Sequence, residues 1–333
     1  MIKKFSLYLH TLKYLKSIQI FGRIFAEIKK ELFARKILKI RPILIEQGYL
    51  HFKTNFIFHD PWNDKDSIKS NKFTFLGITK SFNNNIEWNI SSLPLLWKFN
   101  LHYFNYIHLL SKNNQIDLCK NWISNNSFEN KVAWHPYVIS LRIINLCKAN
   151  LGDTTINSNL YFQAAYLYRN LEFYHPANHY LENARALIFA GLYFEGQGES
   201  KKWLNKGLAI FSTEAEAQIL SDGMYFEKSV MYHAIILEGL LDIINVLPEN
   251  YEQIKLFRNY ALKMLELLIY STHPNGSIAL LNDSTEEIAP SSHDLIDYAK
   301  RLNLLTDQKK AVKYFNDSEI LTYSDKDLYF IIK

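Results

Sequence analysis

The sequence predicts a mainly α-helical protein built from antiparallel helical hairpins. Three observations predict it. From Leu93 to Asn303, apolar residues recur at the three- and four-residue spacing of one helix face, in segment after segment. The connections between these segments are short and carry Gly, Asn, Asp or Pro, and short connections make consecutive helices antiparallel neighbours. The flanks, residues 1–92 and 304–333, lack this regularity.

Residues 1–40 read as an amphipathic helix rich in lysine. Their most basic stretch, EIKKELFARKILKIR (27–41), has a solvated helix face as its first reading. A membrane-surface or anionic-polymer contact is the second. Lys13, Lys16 and Arg23 interrupt the apolar run near the start, and no small-residue cleavage site follows. The segment is therefore expected to be a helix and not a signal peptide. That points to the cytoplasm, although a polymer-acting protein would also suit a periplasmic or cell-envelope location. Residues 41–96 hold the turn signals HDPWND, KSFNNN and SSLP. KFTFLG alternates like a strand. The expectation is an irregular arm with a few short strands.

The helical region, 93–303, opens with LLWKFNLHYFNYIHLLSK and NQIDLCKNWISN. HPYVISLRIINLCKAN follows, with Pro136 in its first turn, where proline is tolerated. Then come NSNLYFQAAYLYRNLEFY, NHYLENARALIFAGLYFEG, SKKWLNKGLAIFSTEAEAQI, EKSVMYHAIILEGLLDIINVL and YEQIKLFRNYALKMLELLIYST. Gly152, Gly196 and Gly198 are C-terminal stops. No fixed-period repeat is visible. The periodicity leaves an orthogonal bundle, a solenoid and a closed ring of hairpins open. In 304–333 the chain turns β-like, and DLYFIIK reads as a strand. A lone strand buries little, so it is expected to open a β domain that is short or absent here.

Apolar residues make up 48% and aromatic residues 15%, with 22 Phe, 21 Tyr and 6 Trp. Such rings serve as core or as platforms for sugar faces, and core is the stronger reading for any single ring. The net charge of +5 suits an acidic partner and lacks the clustered basicity of a nucleic-acid binder. Cys119 and Cys147 make neither a disulfide framework nor a zinc spacing. No apolar run is long enough for a membrane span. Phosphate-binding glycine loops, H-E-x-x-H and G-x-S-x-G are absent. His175 and His179 are four apart, but Pro176 between them reads as a helix start. No metal and no cofactor is expected, and the oligomeric state is not legible.

Four stretches combine polar chemistry with aromatic flanks. WKFNLHYFNY contains Trp97, Asn100, His102 and Tyr103, and WHPYVISLR contains Trp134, His135, Tyr137 and Arg142. In NHYLENARAL, Asn178, Glu182 and Arg185 share one helix edge, with His179 beside Glu182. A capped helix start with a Glu182–Arg185 pair and a chemical site weigh about equally there. In DGMYFEKSVMYH, Asp222–Gly223 marks a turn, Glu227 starts a helix, and Tyr232 and His233 fall in its second turn. Core packing is the first reading of that Tyr-His pair. Tyrosine serves as acid or base only where its surroundings tune it.

These stretches, in this order and followed by LLNDS, resemble the heparinase II/III-like family of polysaccharide lyases over roughly residues 90–300. The likeness is to members found with surface-polysaccharide genes. It implies an incomplete (α/α) toroid of helical hairpins over 93–303. Residues 1–92 then precede it as helix and arm, and 304–333 begin a truncated β-sandwich. It also implies β-elimination on a uronic-acid-containing glycan. Asn178 and His179 would hold the substrate carboxylate, and Tyr232 would act as general acid and as base. Glu182, Glu227 and His233 would support them. Trp97, Asn100, His102, Tyr103, Trp134, His135, Arg142 and Arg185 would bind substrate. The sequence departs from the family at Lys228 and Val230, where arginine and proline are common, and in the missing bulk of the sandwich, which usually supplies a histidine. A glycan-binding or assembly protein without turnover is the alternative. A hydrolase would need two opposed carboxylates, for which Glu182 and Glu227 are the visible pair.

Overall fold

A computed structural model describes residues 17–34, 43–175, 177–304, 311–325 and 328–333. Pro176, expected to mark a helix start, lies outside the described residues. Among these residues the chain is mainly helical, with eleven α-helices and small sheets. Helix α1 spans Ser17–Ala34 and α2 spans Lys65–Lys69. The hairpin β1 (Lys72–Phe75) and β2 (Ile78–Ser81) is the KFTFLG strand signal with its partner. The main body contains α3 (Leu95–Tyr103), α4 (Lys112–Asn125), α5 (Pro136–Ala149), α6 (Thr154–Arg169), α7 (Asn178–Tyr193), α8 (Ser200–Gln218), α9 (Val230–Val246), α10 (Gln253–Tyr270) and α11 (Ser292–Arg301).

Alternate helices form two layers. The inner helices pack in series, α3 on α5, α5 on α7, α7 on α9 and α9 on α11. The outer helices α6, α8 and α10 each back an inner one, and α4 packs on α6. This is the incomplete (α/α) toroid that was expected. Its tightest seam is α7 against α8, where small residues let the backbones meet. A Cβ on Gly191 would lie 2.6 Å from Leu204 Cβ, and one on Gly207 would lie 2.7 Å from the Ala184 carbonyl.

The irregular arm closes one end of the ring. The Leu50 backbone is read by Asn150, at the end of α5, through two hydrogen bonds of 2.8 and 3.0 Å. Tyr49 N–H donates to the carbonyl of Tyr193, the last residue of α7. Asn245, near the end of α9, accepts from Lys53 and Thr54 N–H and donates to the Thr54 carbonyl. Lys53 Nζ donates to the Ile244 and Leu247 carbonyls at 2.6 and 2.7 Å. A cation on the free carbonyls of a helix C-terminus is favourable. The arm thus covers the C-terminal ends of three inner helices.

Several residues expected at a substrate site are core. Trp97 is fully buried and donates to the Ile78 carbonyl. Trp134 donates to the Asn126 carbonyl and packs among Trp122, Phe128, Phe162 and Tyr166. His102 accepts from Trp122 Nε1–H through Nδ1 and so donates from Nε2 to the Trp88 carbonyl. Burial, and then the nearby Arg142 charge, pull its pKa down to about 3, so it is neutral. Arg142 is fully buried; its guanidinium donates to Gln163 Oε1 and to the His102 and Ala133 carbonyls, and lies 4.0 Å over the Trp122 ring. Burial pulls its pKa down to about 9. Arg142 joins α3, α5 and α6 and is not available to a ligand.

The β-like end is also more than a lone first strand. Val312–Phe315 (β3), Ile320–Ser324 (β4) and Tyr329–Ile332 (β5) form an antiparallel sheet in the order β3-β4-β5. DLYFIIK supplies its last strand. The sheet is tied to the α8–α9 loop, where Asp222 accepts from Ser318 N–H and Oγ–H at 2.7 and 2.9 Å. Lys313 pairs with Glu266 of α10 at 2.8 Å.

Replacing Arg142 by methionine strands three buried acceptors. It should lower the free energy of unfolding in urea by about 3 kcal/mol. An unchanged urea midpoint would refute the structural role of Arg142.

Candidate functional site

The inner helices surround a cavity of about 320 Å³. Four of them, α3, α5, α7 and α9, each contribute one stripe at helical spacing. Leu96, Phe99, Asn100 and Tyr103 come from α3, and Tyr137, Leu141, Ile144 and Lys148 from α5. Asn178, His179, Glu182 and Arg185 come from α7, and Met231, Tyr232, Ile235 and Glu238 from α9. Leu96, Tyr137, Asn178 and Met231 all belong to the first turns of their helices. That end of the cavity therefore collects helix N-termini, whose positive dipole ends favour anions. Phe58 and Trp62 of the arm form part of the wall.

Near this end a buried carboxylate organises the polar groups. Glu172 sits in the loop before α7 and is almost wholly buried. Its Oε1 lies 3.3 Å from His179 Nδ1 and 3.9 Å from His135 Nε2. Asn183 fixes it from within α7: Asn183 Oδ1 accepts the Glu172 N–H, and Asn183 Nδ2 donates to Oε2 at 3.4 Å. Burial alone would raise the Glu172 pKa, but His179, His135 and Asn183 together hold it below the ordinary value. The Tyr137 ring stacks on His179 at 4.1 Å. Helix α7 has no capping side chain: its N-cap is Ala177. The polar start of α7 is thus not a capping device.

Tyr232 faces this group from α9. Burial raises its pKa, and the Asp283 and Glu227 carboxylates raise it further. Its phenol is protonated at neutral pH. Glu227 itself does not line the cavity, and its pKa is raised by burial and by Asp283. His233 points the other way. It is fully buried, its Nε2 lies 2.8 Å from the Met264 carbonyl, and Tyr225 N–H donates to its Nδ1. Burial pulls its pKa down to about 4. His233 holds α9 to α10 and is not part of the site, contrary to expectation.

The deep end of the cavity is a buried charge network. Asp242 of α9 accepts from Arg185 at 2.5 Å and from Lys148 at 2.6 Å through Oδ2, and from Tyr298 of α11 at 2.9 Å through Oδ1. Glu182 accepts from Arg185 at 3.1 Å, which is the expected pair. Burial penalises the Arg185 charge, but Glu182 and Asp242 outweigh that and raise its pKa. Glu238, 3.7 Å from Lys148, has its pKa raised by burial. Arg185 reaches the cavity already neutralised.

The structure thus brings Asn100, Tyr103, Asn178, His179, Glu182, Arg185 and Tyr232 to one cavity and leaves His135 beside it, next to Glu172. It removes Trp97, His102, Trp134, Arg142 and His233 to the core. Sequence reasoning missed Glu172, Lys148, Glu238 and Asp242. The signal for three of them was present: single charges inside the apolar runs IINLCKAN and ILEGLLDII. Glu172 lies in a loop without periodicity and gave no signal.

Residues 115–323 match the model of the heparinase II/III N-terminus family. A heparin-sulfate lyase of Bacteroides thetaiotaomicron is 28% identical over 226 residues, 62% of this chain and 32% of that protein. A heparin-sulfate lyase of Pedobacter heparinus is 25% identical over 217 residues, 59% of this chain and 31% of its own. The chain therefore spans about a third of the length of these relatives. Among solved structures, heparinase III superposes with a TM-score of 0.57 at 20% identity, over 73% of this chain and 45% of that one. Heparan sulfate lyase HepC from Pedobacter heparinus superposes at 0.52 and 18% identity, over 78% and 48%. At these identities the superpositions establish the fold alone. The family match extends over well more than half of the sequence, and the chain belongs to the heparinase II/III N-terminus family.

Proposed function

We propose that this chain is the helical part of a polysaccharide lyase that cleaves a uronic-acid-containing glycan by β-elimination. One observation carries the reading: Asn178, His179 and Tyr232 reach one cavity from two inner helices, with Glu172 engaged on Nδ1 of His179. The helix N-termini at that end suit an anionic sugar, and the relatives are heparin-sulfate lyases.

The reaction breaks the C5–H bond, forms the C4–C5 double bond from its electron pair and expels O4, which leaves with a proton. The C5 proton is acidic only when the adjacent carboxylate is neutralised. Asn178, at the start of α7, donates to that carboxylate from its side-chain amide, where the helix dipole also favours negative charge. His179 takes the C5 proton at Nε2, because Glu172 occupies Nδ1 and fixes the ring. Tyr232, held protonated by its surroundings, gives its proton to O4. Phe99, Tyr103 and Tyr137 supply faces for sugar rings.

Tyr232→Phe should lower kcat by about 10²- to 10⁴-fold with KM little changed. The increase in ultraviolet absorbance of the unsaturated product on a panel of acidic polysaccharides measures it, and full turnover by the variant would remove Tyr232 from the mechanism. Glu172→Gln should lower kcat by at least about tenfold while glycan binding persists, because the histidine loses its orienting carboxylate. Equal loss of binding and turnover would make Glu172 merely structural. The raised Tyr232 pKa means that its proton is retained to higher pH than in a free tyrosine, whose pKa is about 10. The rate should therefore show no alkaline decline from Tyr232 below that pH, and a limb near pH 8 that vanishes in Tyr232→Phe would contradict the assignment.

Binding of an acidic glycan without turnover is the second reading. The same raised Tyr232 pKa favours it, since the phenol is not itself a base at rest. Glycan binding with no chromophore from any substrate, in this chain or in a longer form, would select it.

A further inference from the structure

Helix α1 carries Phe21, Ile24, Phe25 and Ile28 at the i, i+3, i+4 and i+7 positions of one stripe. They are 70, 54, 59 and 54% exposed. The helix is fixed to the body by a different face. A Cβ on Gly22 would lie 2.8 Å from the Phe173 ring and 2.9 Å from Tyr174 Cβ, so only glycine allows this approach. Lys29 Nζ donates to the carbonyl of Arg169, the last residue of α6. The apolar stripe is therefore turned outward on an anchored helix. Phe173, 38% exposed, lies next to it. Four large apolar side chains in one exposed stripe are a contact surface, unlike scattered surface apolar residues.

Charge says what the contact is. Residues 1–42 hold eleven Lys and Arg against two acidic residues, a net +9. Residues 43–333 hold 27 against 31, a net −4. All the excess positive charge of the chain thus lies in and around α1. A second copy on this face would set +9 against +9. An anionic polymer needs the charge but not a stripe of Phe and Ile. A bilayer with anionic headgroups uses both, the stripe entering the acyl boundary and the cations meeting the headgroups. No described helix is long and apolar enough to cross a membrane, so the contact is a surface one.

We propose that α1 and its basic flanks dock this protein on an anionic lipid surface. The docking helix packs on Phe173 and Tyr174, in the same loop that carries Glu172 and leads into α7. This inference is independent of the lyase reading.

The test is cosedimentation of the whole chain with vesicles of phosphatidylcholine alone and with 30% phosphatidylglycerol, the fraction being chosen as a typical anionic content. Binding is expected to the anionic vesicles, at least about tenfold stronger than to neutral ones, and to weaken in high salt. Phe21→Asp with Phe25→Asp should weaken it about tenfold or more, with circular dichroism and melting unchanged because both residues are exposed. Lys3→Gln, Lys4→Gln, Lys13→Gln and Lys16→Gln together should abolish the preference for anionic lipid. No vesicle binding by the folded wild-type chain overturns the proposal. So does self-association on gel filtration that the Phe variant removes, which would make a second copy the occupant. Retention on an immobilised acidic polysaccharide by wild type and Phe variant alike, without vesicle binding, also overturns it.

Discussion

Asp242 is the point on which the ring depends. Its carboxylate, wholly buried on α9, receives Lys148 from α5, Arg185 from α7 and Tyr298 from α11. Four inner helices are thereby held at one depth by one side chain. Burying these charges is expensive, and their mutual attraction offsets that only if the geometry is kept. The network therefore specifies how the helices are rotated and at what height they stand. Glu182 stands three residues before Arg185, and His179 and Asn178 stand three and four residues before Glu182, toward the cavity's other end.

The second constraint is the polarity of the ring. Inner helices that share a direction place all their N-termini at one end and all their C-termini at the other. The C-terminal ends present unsatisfied carbonyls, and the arm supplies donors for them through Tyr49 and Lys53, while Asn150 and Asn245 fix the arm in return. The first part of the arm, residues 43–64, has no regular structure and closes the carbonyl end of the ring. The N-terminal ends, the Glu172–His179 pair and Tyr232 stand toward the opposite end of the cavity. A channel closed at its carbonyl end, with helix N-termini at the other, is suited to anions.

The aromatic and basic residues of the sequence divide between two jobs that look the same in one dimension. Trp97, His102, Trp134 and Arg142 sit in stretches as rich in polar chemistry as that of His179. Yet every polar atom of the Arg142 guanidinium group meets an acceptor of the core, and His102 is fixed between Trp88 and Trp122. For those on helices, what separates them is which side of the helix faces the ring's axis. On α5, Tyr137 and Lys148 face the cavity while Arg142 faces α3 and α6. Five residues along a helix reverse the direction of a side chain.

The sequence by itself left the start of α7 open between a cap and a chemical site, but it determined the hairpin helices and the Glu182–Arg185 pair. Those are properties of neighbours three or four residues apart, and helical periodicity carries them. Tertiary structure decided the rest. Glu172 meets His179 only because the preceding loop folds back over the first turn of α7, and Asn183 holds it there. Asp242 meets Lys148 across 94 residues of chain because α5 and α9 both turn a face toward the cavity. Local spacing sets which side chains share a face, but a cavity is made by faces of different helices, and only long-range packing sets which faces meet.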